Sequence, residues 1–433
     1  IKMARLIRQW WTASDPSLLV QSESRLLSAL VKHPFHKPSE SSARDKHGGM
    51  NLVEFHANDA KPGLVDSRPT VILAHGFGSG LSFFYRNVDD LLNSGKVSRV
   101  VCIDWLGMGG SARPPCWQSP VRSIFGNNNN NHQSSSSSSA SRLSFCNSKF
   151  SPSRAIDFFL DPFDQLLRDT TIFEKDEPLW LCGHSLGGYL AGKYAMRIHD
   201  NQITTSSKHR SAVIPNITKL ILASPVGFQP LPSPHERIES SHLNPALRLV
   251  DALWSANFTP QALVRMMGSS RGQRAVKRAL HGRIPHLASE QQQPTTSSDL
   301  EEGKDYPSSE LDLLAQYLYH ISVAPASGEY AMNSLLEPVA SKGSGVGVYA
   351  REPLGGGSMA GSISRQSSSP LESIKVLFGD KDWMQFHEPA ARKEMLSIES
   401  TCGIKTAVHI IPEAGHHMYL DNSPCFGRHI LED

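Results

Sequence analysis

The chain lacks the features that mark most specialised protein classes. It carries 43 lysines and arginines against 41 aspartates and glutamates, a formal net charge of +2 over 433 residues. No sign dominates, so the concentrated basic surface of a nucleic-acid binder is not expected. Cysteine is scarce: Cys102, Cys116, Cys146, Cys182, Cys402 and Cys425, with no CxxC pair among them. This argues against a disulfide framework and against a metal site. Cys102 and Cys182 lie in apolar runs and read as small buried hydrophobes, a usage that suits a reducing, intracellular compartment. No run approaches the ~18 consecutive apolar residues that a membrane-spanning helix needs. Acidic residues are missing from the opening IKMARLIRQWW, which predicts either an amphipathic first helix or the end of a mitochondrial targeting segment. Trp10 and Trp11, beside Arg5 and Arg8, suit contact with a membrane interface.

What is present is a recurrence of short apolar, β-branched runs. They are VILAH at 71–75, VVCID at 100–104, LWLCG at 179–183, KLILAS at 219–224, KVLFG at 375–379 and TAVHII at 406–411. Near-continuous apolar character predicts strands covered on both faces. Helix-compatible stretches between most of them predict a mainly parallel α/β sheet. Residues 1–50 form an N-terminal helical segment with leucines at helical spacing over 17–32, and 51–227 form the first part of the core. Residues 119–151 read as a low-complexity Asn/Ser insertion, 289–309 and 340–370 as two more, and 373–433 as the second part of the core. The stretch 228–372, with helical pieces NPALRLVDALWSA and SELDLLAQYLYHI, is expected to form a lid over the carboxyl ends of the strands.

Gly183-His184-Ser185-Leu186-Gly187 is a G-x-S-x-G between a strand and a helix. Chemistry needs that context, because a sharp strand-to-helix turn exposes the serine and glycines on either side let the backbone close up. The N–H of Leu186 then faces a developing oxyanion, and the N–H of Phe77, in His75-Gly76-Phe77-Gly78 after the VILA strand, is the expected second donor. Asp104 to Ser111 forms a D-x-x-G-x-G-x-S loop read as structural. A serine hydroxyl needs an imidazole base held by a carboxylate. Asp382, preferred to Asp380, follows one late strand, and His416, preferred to His417, follows the next. Asp421 lies five residues beyond His416, an H-x-x-x-x-D spacing that either pairs with the histidine in acyl transfer or caps a final helix.

The combination HGFGSG, DWLGMGGSARP, GHSLGGYLA, LILASPVGF, SGEYAM, FGDKDWM and GHHMYLDN resembles one branch of the α/β-hydrolases. That branch holds lysophosphatidic acid acyltransferases, a cardiolipin-specific deacylase and a lipolysis co-activator of the comparative-gene-identification type. The resemblance implies a triad of Ser185, Asp382 and His416, and an acyltransferase motif of His416 with Asp421. The co-activator lacks the serine that this chain has at 185, which favours catalysis. Three readings follow: a phospholipid deacylase, an acyltransferase taking acyl-CoA as co-substrate, or a scaffold that recruits a lipase to a membrane or lipid-droplet surface. No cofactor, metal or nucleic acid is expected. RGQRAVKRALHGR at 271–283 supplies Arg271, Arg274, Lys277, Arg278 and Arg283, which suit a phosphate headgroup or an anionic membrane surface, or form a solvated basic helix.

Overall fold

A computed structural model describes residues 15–37, 48–59, 66–114, 151–174, 176–204, 215–239, 242–289, 309–341, 345–364 and 370–432. The basic opening with Trp10 and Trp11, nearly all of the 119–151 insertion and most of the 289–309 insertion lie outside the described residues. Numbered along the chain, the strands are β1 (Phe35–His36), β2 (Asn51–His56), β3 (Thr70–Ala74), β4 (Arg99–Asp104), β5 (Leu179–His184), β6 (Ile217–Ala223), β7 (Leu336–Ser341), β8 (Gly345–Ala350), β9 (Ser373–Gly379) and β10 (Lys405–Ile411). The longer helices are α1 (Pro16–Leu30), α2 (Tyr85–Asn93), α3 (Pro152–Leu167), α4 (Leu186–Thr204), α5 (Pro245–Ser255), α6 (Pro260–Met266), α7 (Ser269–Arg283), α8 (Glu310–Val323), α9 (Gly328–Leu335), α10 (Ser358–Ile363), α11 (Glu388–Cys402) and α12 (Ser423–Leu431).

The six apolar runs form one sheet because each must be covered on both faces. Its order is β1-β2-β4-β3-β5-β6-β9-β10, with β3 to β6, β9 and β10 parallel and β1 and β2 antiparallel at one edge. Every residue of β3 and β9 is buried. One apolar cluster, around Phe159, Phe163, Tyr189 and Tyr194, covers one face, and a second, around Phe83, Phe84, Tyr317 and Tyr419, covers the other. Parallel strands put their carboxyl ends together, and the loops leaving β3, β5, β6, β9 and β10 therefore meet along one rim.

The segment between β6 and β9 rests on that rim. Gly328 N donates to Gly107 O (3.0 Å), and Arg113 Nη1 donates to Pro325 O (2.8 Å). A Cβ on Gly80 would come within 2.4 Å of the Tyr317 hydroxyl, so α8 lies against the loop after β3. The glycine- and serine-rich stretch 340–370 is not a featureless insertion. Leu336–Ser341 and Gly345–Ala350 pair as an antiparallel hairpin, and Tyr349, Leu354 and Met359 are buried. Its small residues permit close packing: Gly347 lies against Phe386, and Gly192 of α4 against Leu354. At the chain's start, the expected helix runs over Pro16–Leu30, capped by the Asp15 side chain on Ser17 N (2.9 Å).

Candidate active site

At the end of β5 the chain turns abruptly into α4, and Ser185 takes the turn at φ +54°. That conformation costs a non-glycine residue energy and is tolerated where the surroundings hold it. Ser185 N donates to Ala223 O at 2.8 Å, tying the turn to the end of β6. The flanking glycines have no alternative. A Cβ on Gly183 would lie 2.3 Å from Gly187 O, and one on Gly187 would lie 2.5 Å from the carbonyls of Ala74 and His75.

His416 reaches this turn from the loop after β10. Its Nε2 lies 3.1 Å from Ser185 Oγ, and its Nδ1 lies 3.0 Å from Asp382 Oδ1 and 2.9 Å from Ser224 Oγ. The Ser224 hydroxyl also bonds Asp382 Oδ2. One hydroxyl proton cannot serve both neighbours. The consistent assignment has Ser224 donating to the carboxylate and His416 Nδ1–H donating to Asp382, leaving Nε2 as an acceptor facing Ser185. Burial pushes the Asp382 carboxyl up, but the hydrogen bond and charge of His416, then Ser224 and Met384 N, hold it below its ordinary value. An ionised carboxylate therefore stands behind the imidazole.

The structure thus brings Ser185, Asp382 and His416 together and separates them from their competitors. Asp380 accepts from Glu413 N (3.0 Å) and Ala414 N (2.9 Å), holding the loop that carries His416. His417 is buried with Nδ1 on the Tyr419 hydroxyl at 2.9 Å. Asp421 lies off the imidazole, so the H-x-x-x-x-D spacing does not form a direct pair in this structure. Its Oδ2 accepts from Gly415 N (2.9 Å), its Oδ1 faces His286 Nδ1 (3.5 Å), and both ring nitrogens of His416 are already engaged. Burial raises the Asp421 carboxyl above its ordinary value.

Two supporting residues escaped the sequence reading. Ser224, at φ +46° directly after β6, is the second partner of Asp382. His184 Nε2 donates to the His416 carbonyl at 2.8 Å, and the two rings lie 4.7 Å apart. The signal for both was adjacency to strand ends, which many ordinary loop residues share. Trp383 is 55% exposed with its ring 5.1 Å from that of His416, an open aromatic at the rim.

Gly76 brings the loop after β3 against the serine, since a Cβ there would lie 2.9 Å from Ser185 Cβ. Phe77 follows Gly76 in that loop, and Leu186 follows Ser185 and opens α4. Asp104 fixes this loop from below. Its carboxylate accepts from Leu81 N, Gly110 N and Asn51 Nδ2, each at 2.8 Å, and lies 3.2 Å from His75 Nε2. A recess lined by Phe77, Gly78, Ser79, Met108, Gln261 and Ile321 opens beside it.

The basic residues of α7 divide between two faces. Arg271, Arg274, Lys277 and Arg278 are exposed on the side opposite the buried Gly272, Val276 and Leu280. Lys277 pairs with Asp312 at 2.5 Å, and Arg274 bonds Ser270 O at 3.2 Å. None of the four lines the recess; Arg283 comes nearest to it, within 3.8 Å of where a Gly78 Cβ would stand. Among the described residues no cluster of three or more His, Cys, Asp or Glu could hold a metal ion. Cys102, Cys182, Cys402 and Cys425 are free thiols.

Residues 71–424 match the profile of a family described as the alpha/beta hydrolase family. A protein of Oryza sativa subsp. japonica named "Probable 1-acylglycerol-3-phosphate O-acyltransferase" is 25% identical over 96% of this chain and 80% of its own length. The Arabidopsis thaliana 1-acylglycerol-3-phosphate O-acyltransferase is 26% identical over 97% and 81%. The Caenorhabditis elegans abhydrolase domain-containing protein abhd-5.2 is 23% identical over 95% and 69%.

Proposed function

Because the chain belongs to the alpha/beta hydrolase family, we propose that it is an acyl-transferring serine enzyme of lipid metabolism, a deacylase of glycerophospholipids working through an acyl-enzyme on Ser185. The observation that carries this is the continuous chain from Ser185 Oγ through both nitrogens of His416 to Asp382, with contacts of 3.1 and 3.0 Å. His416 Nε2 takes the hydroxyl proton as Oγ attacks the acyl carbonyl, and the N–H groups of Phe77 and Leu186 receive the oxyanion. Collapse breaks the ester bond, and His416 returns the proton to the departing lysophospholipid oxygen. Water then attacks the acyl-serine with the same base, releasing fatty acid and restoring the hydroxyl.

A membrane or lipid-droplet surface is the proposed place of work. No helix among the described residues is long and apolar enough to cross a membrane. Leu249, Val250, Leu263, Met266 and Met267 nevertheless stand exposed on α5 and α6 and just beyond, beside the basic face of α7. Apolar side chains next to a cationic face suit an anionic bilayer surface, cardiolipin-rich mitochondrial membranes included.

A second reading, acyl-CoA-dependent acylation of lysophosphatidic acid, is favoured by the names of the rice and Arabidopsis relatives. It uses the same acyl-serine, formed from the thioester with coenzyme A leaving and resolved by a lysolipid hydroxyl instead of water. The position of Asp421, off the imidazole, favours this route over one that bypasses Ser185. The test is purified protein on a panel of phospholipids, with and without acyl-CoA, with products read by mass spectrometry. Free fatty acid without acyl-CoA is expected from the wild type, and Ser185→Ala should abolish it together with fluorophosphonate labelling. Acyl transfer that survives Ser185→Ala would overturn the acyl-enzyme.

A further inference from the structure

The recess beside the loop after β3 is small, open to solvent and partly polar in its lining. Its wall includes Gln261, which is 8% exposed, and whose Oε1 is buried with no hydrogen-bond partner among the described residues. A buried carboxamide left unpartnered costs about 1–3 kcal/mol, so its retention points to a ligand that completes it. The other end of the same carboxamide turns towards the loop. The place where a Cβ would stand on Gly78 lies 3.9 Å from Gln261 Nε2 and 3.8 Å from Arg283 Nη1. Two donors, one of them a guanidinium, therefore converge on one point two residues from Gly76, whose own Cβ position touches Ser185 Cβ.

The charge around this point is positive. Arg283 has no carboxylate partner among the described residues; it is exposed at the end of α7, with its Nη1 turned to the Gly78 loop. Glu329 also lines the recess, but both of its oxygens are taken by Arg265, each at 2.8 Å. Arg113, on the same wall, spends its bonds on the carbonyls of Gly107, Gly109 and Pro325 and has no carboxylate partner among the described residues. Arg283 thus brings to this point a guanidinium without a carboxylate partner among the described residues, while Arg265 is spent on Glu329. A guanidinium fork matches phosphate oxygens, and an amide oxygen left over accepts from a hydroxyl.

We propose that Arg283 and Gln261 form an anion subsite beside the oxyanion loop, taking a phosphate monoester that bears a neighbouring hydroxyl. This rests on the acyl-enzyme reading, and it names what lies next to the acyl group in transit. Two sources share that chemistry: the glycerol phosphate of a lysophospholipid and the phosphorylated ribose of coenzyme A.

The test uses binding, which does not depend on turnover. The full chain carrying Ser185→Ala is titrated with glycerol 3-phosphate, glycerol and coenzyme A in a calorimeter. Glycerol 3-phosphate or coenzyme A should bind, glycerol should not, and Arg283→Gln should weaken the bound ligand roughly tenfold or more. Arg283→Lys should restore part of the loss, while Lys393→Gln, exposed on α11, should leave binding unchanged. Selective loss of glycerol 3-phosphate assigns the subsite to the lipid headgroup, and selective loss of coenzyme A assigns it to the donor. Absence of binding by both, equal binding by the Arg283→Gln protein, or an equal loss in Lys393→Gln would overturn the subsite. Binding by the Ser185→Ala protein together with failure of the wild type to react with fluorophosphonate would instead overturn the role of Ser185.

Discussion

Ser224 stands between the two side chains that a triad has to hold apart and in line. Its hydroxyl ties Asp382 Oδ2, and its oxygen lies 2.9 Å from His416 Nδ1. Without it the carboxylate keeps Met384 N and the imidazole but loses a charge-assisted bond worth about 1.5–3 kcal/mol. The carboxylate then turns more freely, and the imidazole with it. Glycine is the informative replacement, because it accepts the φ of +46° while deleting the hydroxyl. Ser224→Gly should lower kcat on a soluble ester by about 10- to 100-fold with KM little changed. Steady-state kinetics check it, and a kcat equal to wild type would leave Ser224 a loop residue only. The residue's place was visible in the sequence, at the end of LILAS, but its partner 158 positions away was not.

At the scale of elements, the strand-to-helix turn is held by carbonyls with no room to move. Gly187→Ala would push a Cβ against two backbone oxygens of the neighbouring loop. The overlap should cost about 1–3 kcal/mol of stability and displace Ser185 from His416. A fall in the thermal midpoint together with loss of fluorophosphonate labelling is the expected pair of results; retention of both would mean that the loop after β3 gives way freely. The elements that position this turn were legible because buried parallel strands are apolar almost without interruption, as in VILA and KVLF. The hairpin of β7 and β8 was not legible. Its glycines and serines resemble a linker in composition, and the packing partners that order it, Phe386 and His387, come from a distant segment. The orientation of Asp421 was not legible for a related reason: spacing along the chain says that it lies near His416, and only the fold shows its carboxylate turned to Gly415 N.

At the scale of the whole molecule, several histidines are folded in as neutral groups, and acid should unfold the chain through them. His387 is the clearest. It is fully buried, its Nδ1 accepts from Gln229 N at 2.9 Å, and its Nε2 donates to Val348 O at 3.1 Å. Protonation would put a second donor against an N–H. Burial, opposed by the Val348 carbonyl and the Asp382 charge, lowers it to about 4 from an ordinary 6.5. Burial likewise lowers His184 and His417. Below its ordinary value the unfolded chain takes a proton that the folded chain refuses, so stability falls as pH drops from 6.5 towards 4. Glu23 and Glu310, raised by burial to about 7, act in the opposite sense, because the folded chain keeps protons that the unfolded chain sheds. A single substitution isolates the histidine from these. His387→Gln preserves an acceptor and a donor of similar reach and cannot titrate. The wild type should lose about 2 kcal/mol more than the variant between pH 7.5 and pH 5. Urea unfolding at the two pH values measures that difference, and parallel losses would mean that His387 is protonated in the folded chain.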